Sequence, residues 1–355
     1  MMDFGCCPAD DELEITIFGP GFGEAIAVHV GEQNWLLVDS CIEPESQSPA
    51  TYLYLQHLGV PAQHVKAIVA SHWHDDHVRG ISVLAAHYPD AEFILSSVFN
   101  DSEATAFLSA HSDSASELTR GTKELFTVIK QREKVFCVQQ RSIVMDVNAN
   151  TRNISVVALS PVPSAFSQSI AHFAQYIPKV AKRDEINHAP ELRPNLEAVV
   201  IHIDFGGEAA LLGSDLEDHS NFGWTAIVTD KWCSQRPKSS AFKVAHHGSI
   251  TGNNAQVWTT LLTDDPVACI TPFNLGNQKL PTDADKQRIK QQTKNAHITS
   301  GASKQADLVF DVRKRLGDVC KKLTTVNAGF GAIRLRKKIG TPSWNVELFG
   351  NACNL

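Results

Sequence analysis

The 355-residue sequence predicts an α/β fold in which two β-rich halves, each flanked on the outside by helices, pack as a four-layer αβ/βα sandwich. Three observations carry that prediction. Short apolar runs with strand character alternate with helix-like segments between residue 13 and about residue 300. The pattern occurs twice, first up to about residue 100 and again from near Asn195. No long Gly/Ser-rich or Pro-rich linker divides the chain, so residues 1–355 read as one domain, with a core of about 13–300 and an appended C-terminal segment of about 301–355.

In the first half, Leu13–Phe18, Glu24–Val30 and Asn34–Val38 read as strands, and Gly19-Pro20-Gly21-Phe22-Gly23 supplies the turn between the first two. Pro49–Leu58 reads as a helix with Gly59 as its C-cap. Val65–Ala70 reads as a buried strand, Gly80–His87 as a helix ended by Pro89, and Glu92–Leu95 as a further strand. Residues 100–150 are polar and weakly patterned, and Ala104–Gln131 is expected to be mainly helical with a break near Gly121. Ile154–Leu159 reads as a strand that ends in Ser160-Pro161.

In the second half, Val199–Phe205 and Ala209–Leu212 read as strands joined by a Gly206-Gly207 hairpin turn. Ser220–Thr229 is expected to be a helix, residues 241–245 a strand, the region around Ala255–Leu262 a helix, Val267–Thr271 a strand and Asp283–Gln292 a helix. Ala332–Arg336 and Ser343–Leu348 resemble a closing hairpin.

The chemistry concentrates in Ser71-His72-Trp73-His74-Asp75-Asp76-His77. Three imidazoles and two carboxylates fall within six residues, on the loop between a buried strand and a helix. Few structural roles need that density of metal-seeking side chains. Imidazole and carboxylate are the ligands of catalytic zinc. In an extended loop the two-residue spacing puts His72 and His74 on one side, facing one ion, while Asp76 and His77 are free to serve another. Asp75 and Trp73 occupy the variable positions, and Trp73 is most simply a packing residue.

An H-x-H-x-D-H run behind a buried strand resembles the signature of the metallo-β-lactamase-fold hydrolases. Ala209–Asp215 resembles the strand that ends in that family's metal-bridging aspartate, and Phe242-Lys243-Val244-Ala245-His246-His247-Gly248-Ser249 resembles the strand and HHGS motif of its ComEC-like branch. The resemblance spans roughly residues 13–300 and implies the metallo-β-lactamase type of sandwich. It further implies a metal-dependent hydrolase using a metal-bound hydroxide, with a phosphodiesterase or nuclease acting on nucleic acid or a nucleotide favoured by the branch. The implied ligands are His72, His74, Asp76, His77, Asp215 and His246, for one or two zinc ions, with manganese as the alternative. Asp76 and His247 are the expected catalytic side chains. His247 is either a general acid or an imidazole hydrogen-bonded to backbone, and Ser249 either contacts phosphate or holds its turn. Lys243 is a weaker candidate for contacting substrate charge, and Asp39 is expected to support the metal loop from outside. Ser160-Pro161 stands where many members carry a third histidine for the first ion.

Two other functions stay open. The same chemistry would hydrolyse a small ester, thioester or lactam. A non-catalytic metal sensor or partner subunit is the other. A di-iron redox role fits less well, because that branch carries Glu where this chain has His74.

Composition bounds these readings. A net charge of −7 argues against broad non-specific nucleic-acid binding, yet leaves room for a local basic groove in Arg313–Arg315, Lys321-Lys322 and Arg334–Lys338. The eight cysteines are scattered without a C-x-x-C pair, as expected of reduced thiols. No apolar run approaches the ~20 residues of a membrane span. The first residues carry no secretory pattern, so a cytoplasmic protein without membrane contact is expected. Nothing in the sequence points to a particular protein partner.

Overall fold

The computed structural model describes residues 2–19, 23–100, 120–149, 152–176, 194–275, 278–301, 329–338, 340–341 and 343–355. The first strands are β1 (Glu12–Gly19), β2 (Ala25–Val30), β3 (Trp35–Val38), β4 (Val65–Ala70), β5 (Glu92–Ser96) and β6 (Phe136–Val138). They are followed by β7 (Ile143–Ala149), β8 (Arg152–Ala158), β9 (Ile201–Asp204), β10 (Ala209–Leu212), β11 (Ser239–Lys243) and β12 (Leu262–Ile270). A small hairpin, β13 (Phe273–Leu275) and β14 (Gln278–Leu280), precedes β15 (Ala296–Ile298). The chain returns through β16 (Gly331–Lys338), β17 (Asn345–Gly350) and β18 (Cys353–Asn354). Two eight-stranded sheets result, in the orders β17-β16-β1-β2-β3-β4-β5-β6 and β18-β15-β12-β11-β10-β9-β8-β7.

Three apolar layers hold the sandwich. Leu13, Ile15, Val28 and Val69 of the first sheet meet Val156, Ile203, Leu212 and Cys269 of the second in the central layer. On the outer face of the first sheet, Trp35, Ile68 and Phe93 pack against Tyr54, Leu84 and Leu125. On the outer face of the second, Phe242 and Ile270 pack against Trp224, Trp258 and Ile289. The central strands are therefore covered on both faces, which is why they read as continuous apolar runs rather than as alternating ones. The architecture is the expected mixed α/β sandwich.

Of the expected 104–131 helix, the described part is Arg120–Gln131, with Gly121 in its first turn. A Cβ there would lie 2.6 Å from Asp75 Oδ1, so glycine is what lets the start of this helix approach the metal loop. The rest of the expected 104–131 helix lies outside the described residues. The helix expected around Ala255–Leu262 is present over residues 255–261, its last five residues, Val257–Leu261, forming a wide turn that ends where Leu262 pairs with Ser239 and starts β12. Sequence patterning missed β6, β7 and the helix Pro163–Tyr176.

The segment expected to be appended is built into both sheets. β16 pairs along the whole length of β1, from Glu12↔Lys338 to Gly19↔Gly331, and β18 pairs with β15. This placement also fixes the charges of the basic run 334–338. Arg334 pairs with Glu347 at 2.9 Å, Arg336 with buried Glu14 at 2.7 Å, Lys338 with Asp11 at 2.8 Å, and Lys337 with Glu208. Those cations are engaged in ion pairs within the sheet and at its rim. Arg313–Arg315 and Lys321-Lys322 lie outside the described residues. Among the described residues no helix is long and apolar enough to cross a membrane.

Glu197 ends a short turn at Pro194–Glu197 and is buried, which pushes its carboxyl up to about 8 from an ordinary 4.5, with Ser169 opposing. The folded chain therefore keeps this proton over a pH range in which the unfolded chain has lost it. The associated stability is complete below about pH 4.5 and disappears as the pH rises through about 8. Glu197→Gln should flatten that decline. Thermal midpoints of both proteins at about pH 5 and about pH 9 should diverge at the higher pH, in favour of the variant. Parallel midpoints would refute the assignment.

Candidate metal centre

The centre lies where both sheets end. β3 and β4 are parallel neighbours in the first sheet, and β10, β11 and β12 are parallel neighbours in the second. Asp39, the 71–77 loop, Ser214-Asp215, His246-His247 and Thr271 all follow the C-terminal ends of these strands, where open α/β sheets place their ligands. The backbone is strained at these turns. Asp39, Ser214, His246 and His247 hold φ of 61°, 45°, 48° and 52°, a region costly for side-chain-bearing residues that clusters at functional sites. Gly23 permits a close approach, since a Cβ there would lie 2.7 Å from Asp76 O, and the adjacent Glu24 N–H donates to that same carbonyl at 3.0 Å.

Asp76, His77, Asp215 and His247 converge into one buried group able to hold an ion. His247 Nε2 lies 3.1 Å from Asp76 Oδ2 and 3.2 Å from Asp215 Oδ2. His77 Nε2 lies 3.4 Å from Asp215 Oδ1, and neither atom has a hydrogen-bond partner among the described residues. The far nitrogens define which atoms face inward. His77 Nδ1–H donates to Asp39 Oδ2 at 2.8 Å, and His247 Nδ1–H donates to the Thr271 carbonyl at 3.0 Å. A carbonyl or carboxylate oxygen can only accept here, so each ring keeps a proton on Nδ1 and turns Nε2 toward the carboxylates, where an ion would replace the Nε2 proton.

The electrostatics call for positive charge at this point. Burial alone would lower His247, but Asp215 and then Asp76 override it and raise the ring to about 9. His77 is raised well above its ordinary value against the same burial, by Asp215, Asp76, Glu24 and Asp39. Burial pushes Asp76 and Asp215 up, but the two imidazoles prevail and hold both carboxyls below their usual range, Asp215 far below. A divalent cation would supply the same charge at the orphaned atoms. The donor set of two imidazole nitrogens and two carboxylates fits such an ion.

His72 and His74 sit beside this group. Their facing nitrogens, His72 Nε2 and His74 Nδ1, are 3.2 Å apart. Burial, and the neighbouring His77, keep His72 well below its ordinary pKa, and burial lowers His74 as well. Both rings are thus neutral, as a ligand must be. The place of a third histidine is taken by Ser160, whose hydroxyl donates to Ala198 O at 2.5 Å and accepts from Val200 N–H at 2.8 Å, a purely structural role.

The two HHGS histidines exchange their expected places. His247, not His246, joins the four-residue group. The reason is the left-handed turn at both residues, which sends consecutive rings apart, with centroids separated by 6.2 Å. His246 faces Thr251 Oγ1 at 2.7 Å through Nδ1, while Asn195 Nδ2 donates toward its Nε2 at 3.3 Å. Ser249 holds its own turn by accepting from Thr251 N–H at 3.3 Å. Trp73 packs near Phe99, and Asp75 Oδ1 accepts the Gly121 N–H at 2.5 Å at the start of the adjacent helix.

Glu24, Thr271 and Arg288 escaped the sequence reading as supporting residues. Glu24 is fully buried, ion-paired with Lys243, and accepts from Thr271 Oγ1 at 2.6 Å. Glu24, Asp39 and His77 form a second group with metal-like donors, but the Lys243 ammonium already balances Glu24 there. Lys243 also donates to Ser214 O at 3.1 Å and lies 3.8 Å from Asp215 Oδ1, so it faces the protein rather than a substrate. Arg288 braces the HHGS turn by donating to Gly248 O at 2.6 Å. Glu24, Thr271 and Arg288 belong to no motif. A buried charged residue after a Gly-rich turn, as at Glu24, was the one available signal.

Residues 18–103 match the family described as the Metallo-beta-lactamase superfamily, a stretch that holds β2 to β5 and the whole 72–77 loop. No curated protein matches the chain. Among solved structures, a metallo-beta-lactamase of Cronobacter sakazakii with a HARLDQ motif is similar at 15% identity, over 56% of this chain and 61% of that one, with a TM-score of 0.31. A flavo di-iron protein of Thermotoga maritima is similar at 12% identity, over 53% of this chain and 32% of that one, with a TM-score of 0.27. The two-sheet architecture is consistent with the metallo-beta-lactamase sandwich.

Proposed function

We propose that this protein is a metal-dependent hydrolase, and that its substrates are phosphodiesters of nucleic acid or nucleotides. One observation carries the hydrolase reading: the buried Asp76–His77–Asp215–His247 group, with its inward-facing Nε2 atoms and carboxylates, at the ends of the parallel strands. A divalent ion, when bound, supplies Lewis acidity and a water of lowered pKa. The chain does the rest. Asp39 and the Thr271 carbonyl keep the protons of His77 and His247 on Nδ1, away from the ion. Asp76 and Asp215 bring the negative charge that holds it, in a place closed to bulk water. His72 and His74 present two neutral nitrogens for a second ion, zinc by ligand type or manganese by the carboxylate share. The phosphodiester preference is supported by the resemblance of residues 242–249 to the HHGS branch.

A small ester, thioester or lactam is the second reading. It is favoured by the net charge of −7 and by the pairing of the 334–338 cations within the sheet. Hydrolysis of bis(p-nitrophenyl) phosphate by metal-free protein refilled with zinc or manganese separates the two, with p-nitrophenyl acetate and a chromogenic cephalosporin in parallel. The expected result is metal-dependent phosphodiester cleavage that Asp76→Ala abolishes. Turnover of the ester or lactam alone would move the assignment to the second reading. Bound metal with no turnover of any of them would favour a sensor or partner subunit.

A further inference from the structure

We propose that Ser71 and Ser214 form a hydroxyl relay that positions His72, fixing its proton on Nδ1 and leaving Nε2 bare toward the ion. The proposal rests on the reading of His72 as an ion-facing ligand. Unlike His77 and His247, His72 has no carbonyl or carboxylate behind its Nδ1 among the described residues. Its Nδ1 lies 3.1 Å from Ser71 Oγ, and a hydroxyl can donate or accept. The ring alone therefore leaves the tautomer undecided.

The surrounding hydrogen bonds decide it. Asp39 accepts the Ser71 N–H on Oδ1 at 2.7 Å and the His77 Nδ1–H on Oδ2 at 2.8 Å, the arrangement of an ionised carboxylate. Ser71 Oγ lies 2.7 Å from that same Oδ2, a separation of two oxygens that requires a proton between them. The single hydroxyl proton of Ser71 is therefore committed to Asp39. Ser214 Oγ lies 2.7 Å from Ser71 Oγ and must supply its own proton to that contact. Ser71 Oγ now donates once and accepts once. Its remaining capacity is a lone pair, so His72 Nδ1 must be the donor. The inward Nε2, which faces His74 Nδ1, is left bare.

Ser214 is the unexpected member. It precedes Asp215 on the second sheet, and its hydroxyl reaches across the central layer to the end of β4 on the first. One chain of hydrogen bonds thus ties Asp215, His72 and, through Asp39, His77 into a common frame. Ser71 and Ser214 are both buried, with no route for water to replace either hydroxyl cheaply.

The test is the ring tautomer of His72 in the full-length, metal-free protein, read from long-range 1H–15N correlations and assigned by the signal lost in His72→Gln. The expected spectrum shows a protonated Nδ1 and a bare Nε2. Ser71→Ala and Ser214→Ala should each erode that preference, and Ser71→Thr should restore it. Zinc affinity, measured by competition with a chromogenic chelator, should fall about 10–100-fold in the two alanine variants. Ser214→Ala keeps the Cβ and adds no backbone strain, so it remains informative if Ser71→Ala fails to fold. A bare Nδ1 in the wild type would overturn the relay, placing the shared proton on Asp39. So would alanine variants with unchanged tautomer and zinc affinity. The expected tautomer in a protein that binds no zinc would uphold the relay and sink the metal reading instead.

Discussion

His247→Ala should lose metal-dependent turnover by more than about 100-fold, beyond the 10–100-fold typical of residues that act behind a ligand. The side chain removed is the one whose Nε2 faces both Asp76 and Asp215. Its neighbour provides the contrast. His246 is held by Thr251 and Asn195 outside the four-residue group, so His246→Ala should stay within about tenfold of the wild type. Zinc stoichiometry should move with activity, falling for the first variant and holding for the second. The opposite ranking would mean that the turn at residues 246–248 exchanges the two rings when an ion is present.

Lys243→Met should destabilise the folded protein by about 3–5 kcal/mol, the range for removing one partner of a buried ion pair. The ammonium is buried among Glu24, Asp215 and the Ser214 carbonyl. Methionine fills similar volume but leaves Glu24 with the Thr271 Oγ1–H hydrogen bond and the His77 ring at 3.9 Å in place of the ammonium. Adding Glu24→Gln removes that uncompensated carboxylate and should recover a large part of the loss. Denaturant unfolding of the metal-free single and double variants measures the coupling directly. Additive losses would show that the two side chains act independently and that the pair does not organise the centre.

How much of this was legible in the sequence depends on the kind of signal each element leaves. β4, β10 and the helix Asp283–Gln292 were readable because burial and capping write local patterns, an apolar run in the first two and a Thr282–Asp285 capping box in the third. The 72–77 loop was readable because its donors are consecutive. His247 was not assignable in preference to His246, because the choice is made by two left-handed residues, and φ leaves no trace in a dipeptide of identical side chains. Glu24, Ser214 and Thr271 were invisible for a different reason. The side chain of each reaches a partner brought up from the other sheet, and no spacing along the chain encodes that contact. The same logic hid the role of Gly121, whose missing Cβ matters only because Asp75 lies against it.

The pairing of β16 with β1 has a consequence for how the molecule is made. Residue for residue, Glu12 waits for Lys338 and Gly19 for Gly331. While the chain emerges from the ribosome, β1 can pair with β2 but presents its other side as an unprotected ribbon until more than 300 further residues have been translated. Contacts of such sequence separation form late and slowly. The nascent protein therefore stays open to wrong pairing along β1 until residues 331–338 have emerged, when the strands and loops of the metal centre have already been made.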